Sequence, residues 1–296
     1  MFYLAPVLLA TFVLFFPDTA FAWGPIAHLH FAESILNLSR ELPHIVGSIL
    51  TAYPLDFYYG CIAADITIGK RFVEYMHNCH SWDVGLEILN QAPNPKSKAF
   101  AYGYLCHLGA DTVSHNYFVP YHLVSAYKTR LLKHIYWEMR FDVVLHRPEL
   151  AKKAHELAQR GRYQHHDDYL DSILKRTLFS FKTNRRLFSG LILLHNIQQW
   201  QRTTDHMHES SRWHLNREQA KEYEDLAVRF ISDFFNLGRT SHSYTKDPSG
   251  YLTLAEATRK RLELKKKSRL GVVKNEEIEE EITRFKSKLK KKLLSV

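Results

Sequence analysis

His107, Asp111 and His115 recur at intervals of four, a spacing that drifts slowly around a helix and leaves all three on one stripe. Their neighbours Tyr102, Leu105, Leu108, Ala110 and Val113 are apolar or small, as on a helix deep inside a domain. A carboxylate and two imidazoles in such a place must be paired or must coordinate a metal, because burying them bare is costly. His134 and Glu138 repeat the i, i+4 spacing, so that both can reach one ion. The same pair of types stands at His214 and Glu218, so the spacing alone is unspecific and the ordered set carries the signal. The chain holds 18 histidines, and imidazole is the commonest protein ligand for transition metals. There is no G-x-S-x-G, P-loop or H-E-x-x-H pattern to suggest another chemistry.

The elements that must position these groups are helical. Helix periodicity predicts segments at about 26–38, 43–52, 97–117, 122–146, 149–160, 168–183, 186–200, 217–236, 252–265 and 275–294, while strand alternation is scarce, so the fold class is all-α. Turn chemistry at Ala92-Pro93-Asn94-Pro95 and at Lys246-Asp247-Pro248-Ser249-Gly250 separates them. Hydrophobic residues make up 45% of the 296 and charged residues 24%, a balance able to bury a sizeable core. The apolar run at 187–194 is too short to span a membrane and reads as a buried helix.

Residues 2–16 are almost wholly apolar, and Ala20-Phe21-Ala22 follows as an A-x-A cleavage pattern, so 1–22 is expected to be a signal peptide and the protein secreted or periplasmic. A domain over 23–257 follows. From 258 to 296 the composition shifts toward Lys, Arg and Glu, an expected helical appendage. There Ile278, Ile282, Phe285, Leu289 and Leu293 form one apolar face, read as packing on the domain in preference to a membrane surface. The net charge of +9 suits an anionic partner such as a phospholipid surface or a nucleic acid. No protein partner can be inferred. Cys61, Cys79 and Cys106 are too few for a disulfide framework; Cys61 with Cys79 is the one pair expected to be able to close.

Taken in order, the motifs resemble the bacterial zinc-dependent phospholipases C, including the catalytic domains of clostridial alpha-toxins. Trp23-Gly24-Pro25-Ile26-Ala27-His28 is similar to the family's start after signal removal, with His30 competing for the place of His28. Ala63-Ala64-Asp65 is similar to its Ala-Ala-Asp segment, and His80-Ser81-Trp82-Asp83 to its His-x-x-Asp, with His77 competing for the place of His80. His107 to Asp111, His115, and His134 to Glu138 complete the pattern. The short interval from Trp23 to His28 looks more like the related single-strand-specific nucleases of fungi and plants, whereas Glu138 follows the phospholipase pattern. The toxins' lipid-binding β-sandwich has no counterpart, because 150–296 reads as helical.

The resemblance implies a multi-helix phospholipase C/zinc nuclease-like bundle holding three Zn2+ ions. Asp65, His80, His107 and Asp111 would hold one ion, and His115, His134 and Glu138 a second. The Trp23 amine and carbonyl with His28 would hold the third, with Asp111 as a bridge. Asp65 would orient or deprotonate the attacking water, whose pKa zinc can lower to about 7. The expected function is a phospholipase C acting on phospholipid at a membrane surface. The competing classes are a nuclease or 3′-nucleotidase, for which Trp82 and Tyr117 are the candidates for base stacking, and a non-catalytic zinc-binding membrane-surface protein. His165-His166-Asp167-Asp168 reads as a loop leading into a helix cap, His195 as structural, and His206 and His208 carry no assignment.

The Trp23 expectation is directly testable. A free α-amine has a pKa of about 8 and loses its proton readily to zinc, whereas an acylated nitrogen is a poor ligand because its lone pair is delocalised. Protein carrying one extra residue before Trp23 should hold less zinc and hydrolyse more slowly than protein beginning there, with unchanged circular dichroism. Equal zinc and activity in both forms would remove Trp23 from the ligand set.

Overall fold

The computed structural model describes residues 23–66, 79–129, 134–145, 147–159, 161–174, 215–271 and 273–295. The signal segment 1–22, His77, the expected helix at 186–200, the end of the one at 168–183, the run at 187–194, and His195, His206, His208 and His214 lie outside these residues. Every regular element among the described residues is helical, so the chain is an all-α bundle.

Helix α1 (Pro25–Asn37) opens with Pro25 at its first turn and has no side-chain cap of its own. Its free N–H groups are met from far along the chain: Asp142 accepts from Ile26 at 3.3 Å and from Ala27 at 2.9 Å. A carboxylate here also suits the positive end of the helix dipole. Helices α2 (His44–Ala52) and α3 (Pro54–Ala63) follow, and a single 3-10 turn (Ala64–Ile66) ends α3. Helix α4 (Trp82–Asn90) is capped by Ser81, and α5 (Pro95–Val113) by Asn94, each accepting from a backbone N–H three residues on. Such caps satisfy donors that a helix start leaves unpaired.

Helix α5 is buried on nearly every side, which makes it the axis of the bundle. Helices α3, α4 and α10 (Arg217–Leu237) pack around it. The closest approach is between α3 and α5, at two glycines. A Cβ on Gly60 would lie 2.0 Å from the Phe100 carbonyl oxygen, and one on Gly103 would lie 2.1 Å from that of Phe57. Only residues without a side chain let the two backbones touch in this way.

The expected helix at 97–117 ends early. A π-turn (Ser114–Phe118) interrupts it before α6 (Val119–Ser125), with the Val119 N–H donating to the Ser114 carbonyl. Pro120 has no N–H to offer the regular ladder, so the ladder breaks here. The helix expected at 122–146 is two helices, α6 and α7 (His134–Leu145). Between them the Ser125 and Thr129 hydroxyls donate to the carbonyls of His122 and Ala126, competing locally with helical bonding. Helices α3 and α4 were not signalled by periodicity. Seven consecutive residues of α3 are buried, so it carries no polar stripe, and α4 is short.

Helices α8 (Pro148–Ala158) and α9 (Gln164–Ile173) lead to α10. Helices α11 (Tyr251–Leu270) and α12 (Asn275–Leu294) form an antiparallel pair that turns at Gly271, whose φ is +63°. Ile278, Ile282, Phe285, Leu289 and Leu293 are buried, and the pair packs on α6 and the π-turn. Position 258 falls inside α11. Among the described residues no helix is long and apolar enough to cross a membrane.

Gly103→Ala should destabilise the fold by about 3 kcal/mol or more, because the new methyl has a backbone carbonyl in its place. A denaturant titration measures this, and a loss below about 0.5 kcal/mol, the size of an ordinary surface substitution, would show that the crossing is slack.

Candidate metal centre

Four elements converge on Asp111. His28 comes from the buried face of α1, Asp65 from the 3-10 turn after α3, His80 from the segment before α4, and His107 from α5 one turn ahead of Asp111. All five side chains are almost completely shielded from solvent. Asp111 Oδ2 lies 3.1 Å from both His80 Nε2 and His107 Nε2, and Oδ1 lies 3.4 Å from His28 Nε2. Asp65 Oδ1 is 3.4 Å from His80 Nε2 and 3.8 Å from His107 Nε2. The rings of His28 and His107 stack at 3.8 Å. Two overlapping donor groups result, His28 with His107 and Asp111, and Asp65 with His80 and His107.

The hydrogen bonds behind the rings fix which nitrogen faces inward. His107 Nδ1–H donates to the Cys61 carbonyl at 2.8 Å, so its Nε2 presents a lone pair to the cluster. His80 Nε2 stands 3.0 Å from that lone pair. Among the described residues His28 has no hydrogen-bond partner at either nitrogen. Burial, followed by the neighbouring His107, pushes its pKa down to about 3, so the ring is neutral. Burial pushes Asp111 upward, but His107 and the contacts from His107 and His80 together outweigh it and hold the carboxyl well below its ordinary range. A buried carboxylate facing several imidazole nitrogens is the donor set of a borderline divalent cation. These residues therefore fit zinc.

His115 and Glu138 are also buried but belong to neither group. The π-turn carries His115 off the regular α5 stripe, and its Nδ1–H donates to the Pro248 carbonyl at 2.6 Å. The loop that supplies this carbonyl is held down by Asn116, which donates to the Asp247 carbonyl at 2.7 Å, and by Trp82, whose indole donates to the Lys246 carbonyl at 2.9 Å. Gly250 seals it, since a Cβ there would meet the His115 carbonyl oxygen at 2.4 Å. His134 is the first residue of α7, one turn before Glu138; its side chain lies outside the described residues. Trp23 is fully buried, stacked on Phe141 at 4.9 Å beside Phe31 and Phe118.

The residue that competed with His28 is placed elsewhere. His30 lies 3.1 Å from an Arg147 nitrogen and 3.4 Å from Glu224, outside the cluster. The cysteines are free thiols. Burial and then a hydrogen bond with the Cys106 thiol raise the Cys61 thiol well above its ordinary range, so Cys61 neighbours Cys106 and gives no thiolate. Sequence reasoning passed over Asp142, the anchor of the α1 N-terminus, although it extends the i, i+4 series of His134 and Glu138. It also passed over the carbonyls of Cys61 and Pro248, which no residue type announces.

Residues 27–187, more than half of the chain, match the zinc-dependent phospholipase C family. The chain belongs to that family. No curated protein and no solved structure shows significant similarity to it. The matched segment of this zinc-dependent phospholipase C family member contains every residue of the two donor groups. It stops short of Pro248, so the acceptor behind His115 comes from outside the matched segment.

Zinc should stabilise the folded chain by mass action, by about 4 kcal/mol when free zinc exceeds the dissociation constant a thousandfold. A chelator should lower the melting temperature and added zinc should restore it. In His107→Ala, which removes a member of both groups, that zinc-dependent gain should be much smaller. A gain equal to the wild type would place the stabilising metal elsewhere.

Proposed function

We propose that this chain is a phosphodiester hydrolase of the phospholipase C type. Its site would hold three Zn2+ ions and release diacylglycerol and a phosphorylated head group from phospholipid at a membrane surface. The observation that carries the reading is the pair of buried donor groups overlapping at His107, inside the segment matched to the family. Asp65, His80, His107 and Asp111 would hold the first ion. His115, His134 and Glu138 would hold the second. His28 and the Trp23 amine and carbonyl would hold the third, with Asp111 bridging to it. When bound, the ions would grip the phosphodiester oxygens, neutralise the charge that builds up and acidify the attacking water.

The chain's own side chains would do the rest. Asp65, next to His80 and His107, would accept the proton of the attacking water. The carbonyls of Cys61 and Pro248 hold the Nδ1 protons of His107 and His115, so both rings would keep their Nε2 lone pairs inward throughout turnover. Water would add to phosphorus as the bond to the glycerol oxygen breaks. Export belongs to the same proposal and rests on the apolar run and the A-x-A pattern in 1–22.

The nuclease reading gains nothing from the two aromatic candidates for base stacking. Trp82 is buried against Phe234 at 4.3 Å, and Tyr117 is buried with its hydroxyl donating to Glu222.

Purified protein should release phosphorylated head group from phosphatidylcholine vesicles, lose that activity to a chelator and regain it with zinc. Asp111→Asn should lower the zinc content by more than one ion and activity by 100-fold or more, about 3 kcal/mol of barrier. His30→Ala should leave the zinc content unchanged. Strong cleavage of single-stranded DNA with no lipid turnover would replace the phospholipase reading with the nuclease one.

A further inference from the structure

A second cluster of ligand-type side chains lies away from Asp111. Asp56 in the first turn of α3 faces His165 and His166 in the first turn of α9. Asp56 Oδ1 is 2.7 Å from His166 Nε2 and 4.0 Å from His165 Nε2. The three differ in exposure in a way that suits a site at a surface. His166 is fully buried, Asp56 is 14% exposed and His165 is 55% exposed. The buried ring is clamped, lying nearly parallel to Phe100 at 4.6 Å. Tyr59 stacks on Tyr163 at 4.3 Å and donates its hydroxyl to Asp167, so α3 and α9 are already held together beside the cluster.

We propose that Asp56, His165 and His166 form a peripheral site for a divalent transition-metal cation, Zn2+ in the first instance, that ties α9 to α3. Two imidazoles and one carboxylate are ligands that zinc accepts, and the exposed side leaves a fourth position for water. Zinc bonds of about 2.0–2.1 Å set tetrahedral ligand atoms about 3.3 Å apart. Binding would therefore open the contact between Asp56 and His166 slightly and draw in the exposed His165 ring. Partial burial and the neighbouring His166 push the His165 pKa down, so its lone pair is available at neutral pH. Lys96 and Asp167 also act on His165, with opposite sign.

The location gives the site a consequence. Helix α3 runs from Asp56 to Cys61, whose carbonyl fixes the His107 ring, and ends in the turn carrying Asp65. An ion at the start of α3 would stiffen the helix that aligns the main centre without touching substrate. Its role would be positional.

The test uses full-length protein equilibrated by dialysis against micromolar free Zn2+, with metal counted by mass spectrometry. His165→Ala removes an exposed side chain, and Asp56→Asn keeps the shape of the buried one. Each variant should hold one zinc fewer than the wild type, with unchanged circular dichroism. The wild type alone should then show slower amide hydrogen exchange in 164–173 on zinc addition. The same zinc count in wild type and both variants would overturn the site and leave Asp56 and His166 as a plain buried hydrogen bond. Because Asp65, His80, His107 and Asp111 are intact in both variants, the result is independent of whether the main centre hydrolyses phospholipid.

Discussion

Asp111 is a carboxylate removed completely from water and faced by the rings of His28, His80 and His107, the first of which burial keeps from charging. Left alone, that arrangement is among the most expensive a protein can adopt. A bound cation would supply the missing charge, and α1, α5, the turn after α3 and the segment before α4 bring the donors together there. Helix α5 gives up its solvent-facing side to bring Asp111 and His107 to the centre. The chain before α4 delivers His80, and α1 delivers His28.

The accuracy of that convergence depends on backbone as much as on side chains. Gly60 and Gly103 let α3 and α5 touch, which is what puts the Cys61 carbonyl within hydrogen-bonding reach of His107. Asp142 reaches back to the first turn of α1 and sets the height of His28 along the bundle. The π-turn, caused by a proline that cannot continue the ladder, swings His115 toward a loop more than a hundred residues away in sequence. Each device spends local regularity to gain alignment at the centre.

The sequence made the all-helical class legible, because periodicity survives wherever a helix has one wet face, as in α1, α10 and α12. It failed at α3 and at the short α4. Helix α3 is apolar almost all round and carries no stripe, yet it holds the carbonyl that orients His107. His107 and Asp111 were readable from side-chain type and spacing, whereas His28, Asp65 and His80 entered through the resemblance to the family's ordered motifs. In three dimensions His28 lies beside His107 and Asp111, while Arg147 and Glu224 engage the ring of His30. The break in the expected 122–146 helix was hidden for a related reason: hydroxyl groups of Ser125 and Thr129 found nearby carbonyls, a competition that composition does not register.

The acceptor behind His115 is a main-chain carbonyl on a loop pinned by other main-chain contacts, those of Lys246 and Asp247. A carbonyl is common to all twenty residue types, so position 248 can drift through many of them with the acceptor retained. The spacing along that loop has no such freedom. One residue inserted or lost between α10 and α11 would move the oxygen by up to about 3.8 Å, the distance between neighbouring α-carbons, and Gly250 leaves no slack in which to absorb it. Over evolutionary time this stretch is therefore a ruler: indifferent to most lettering, intolerant of a change in length.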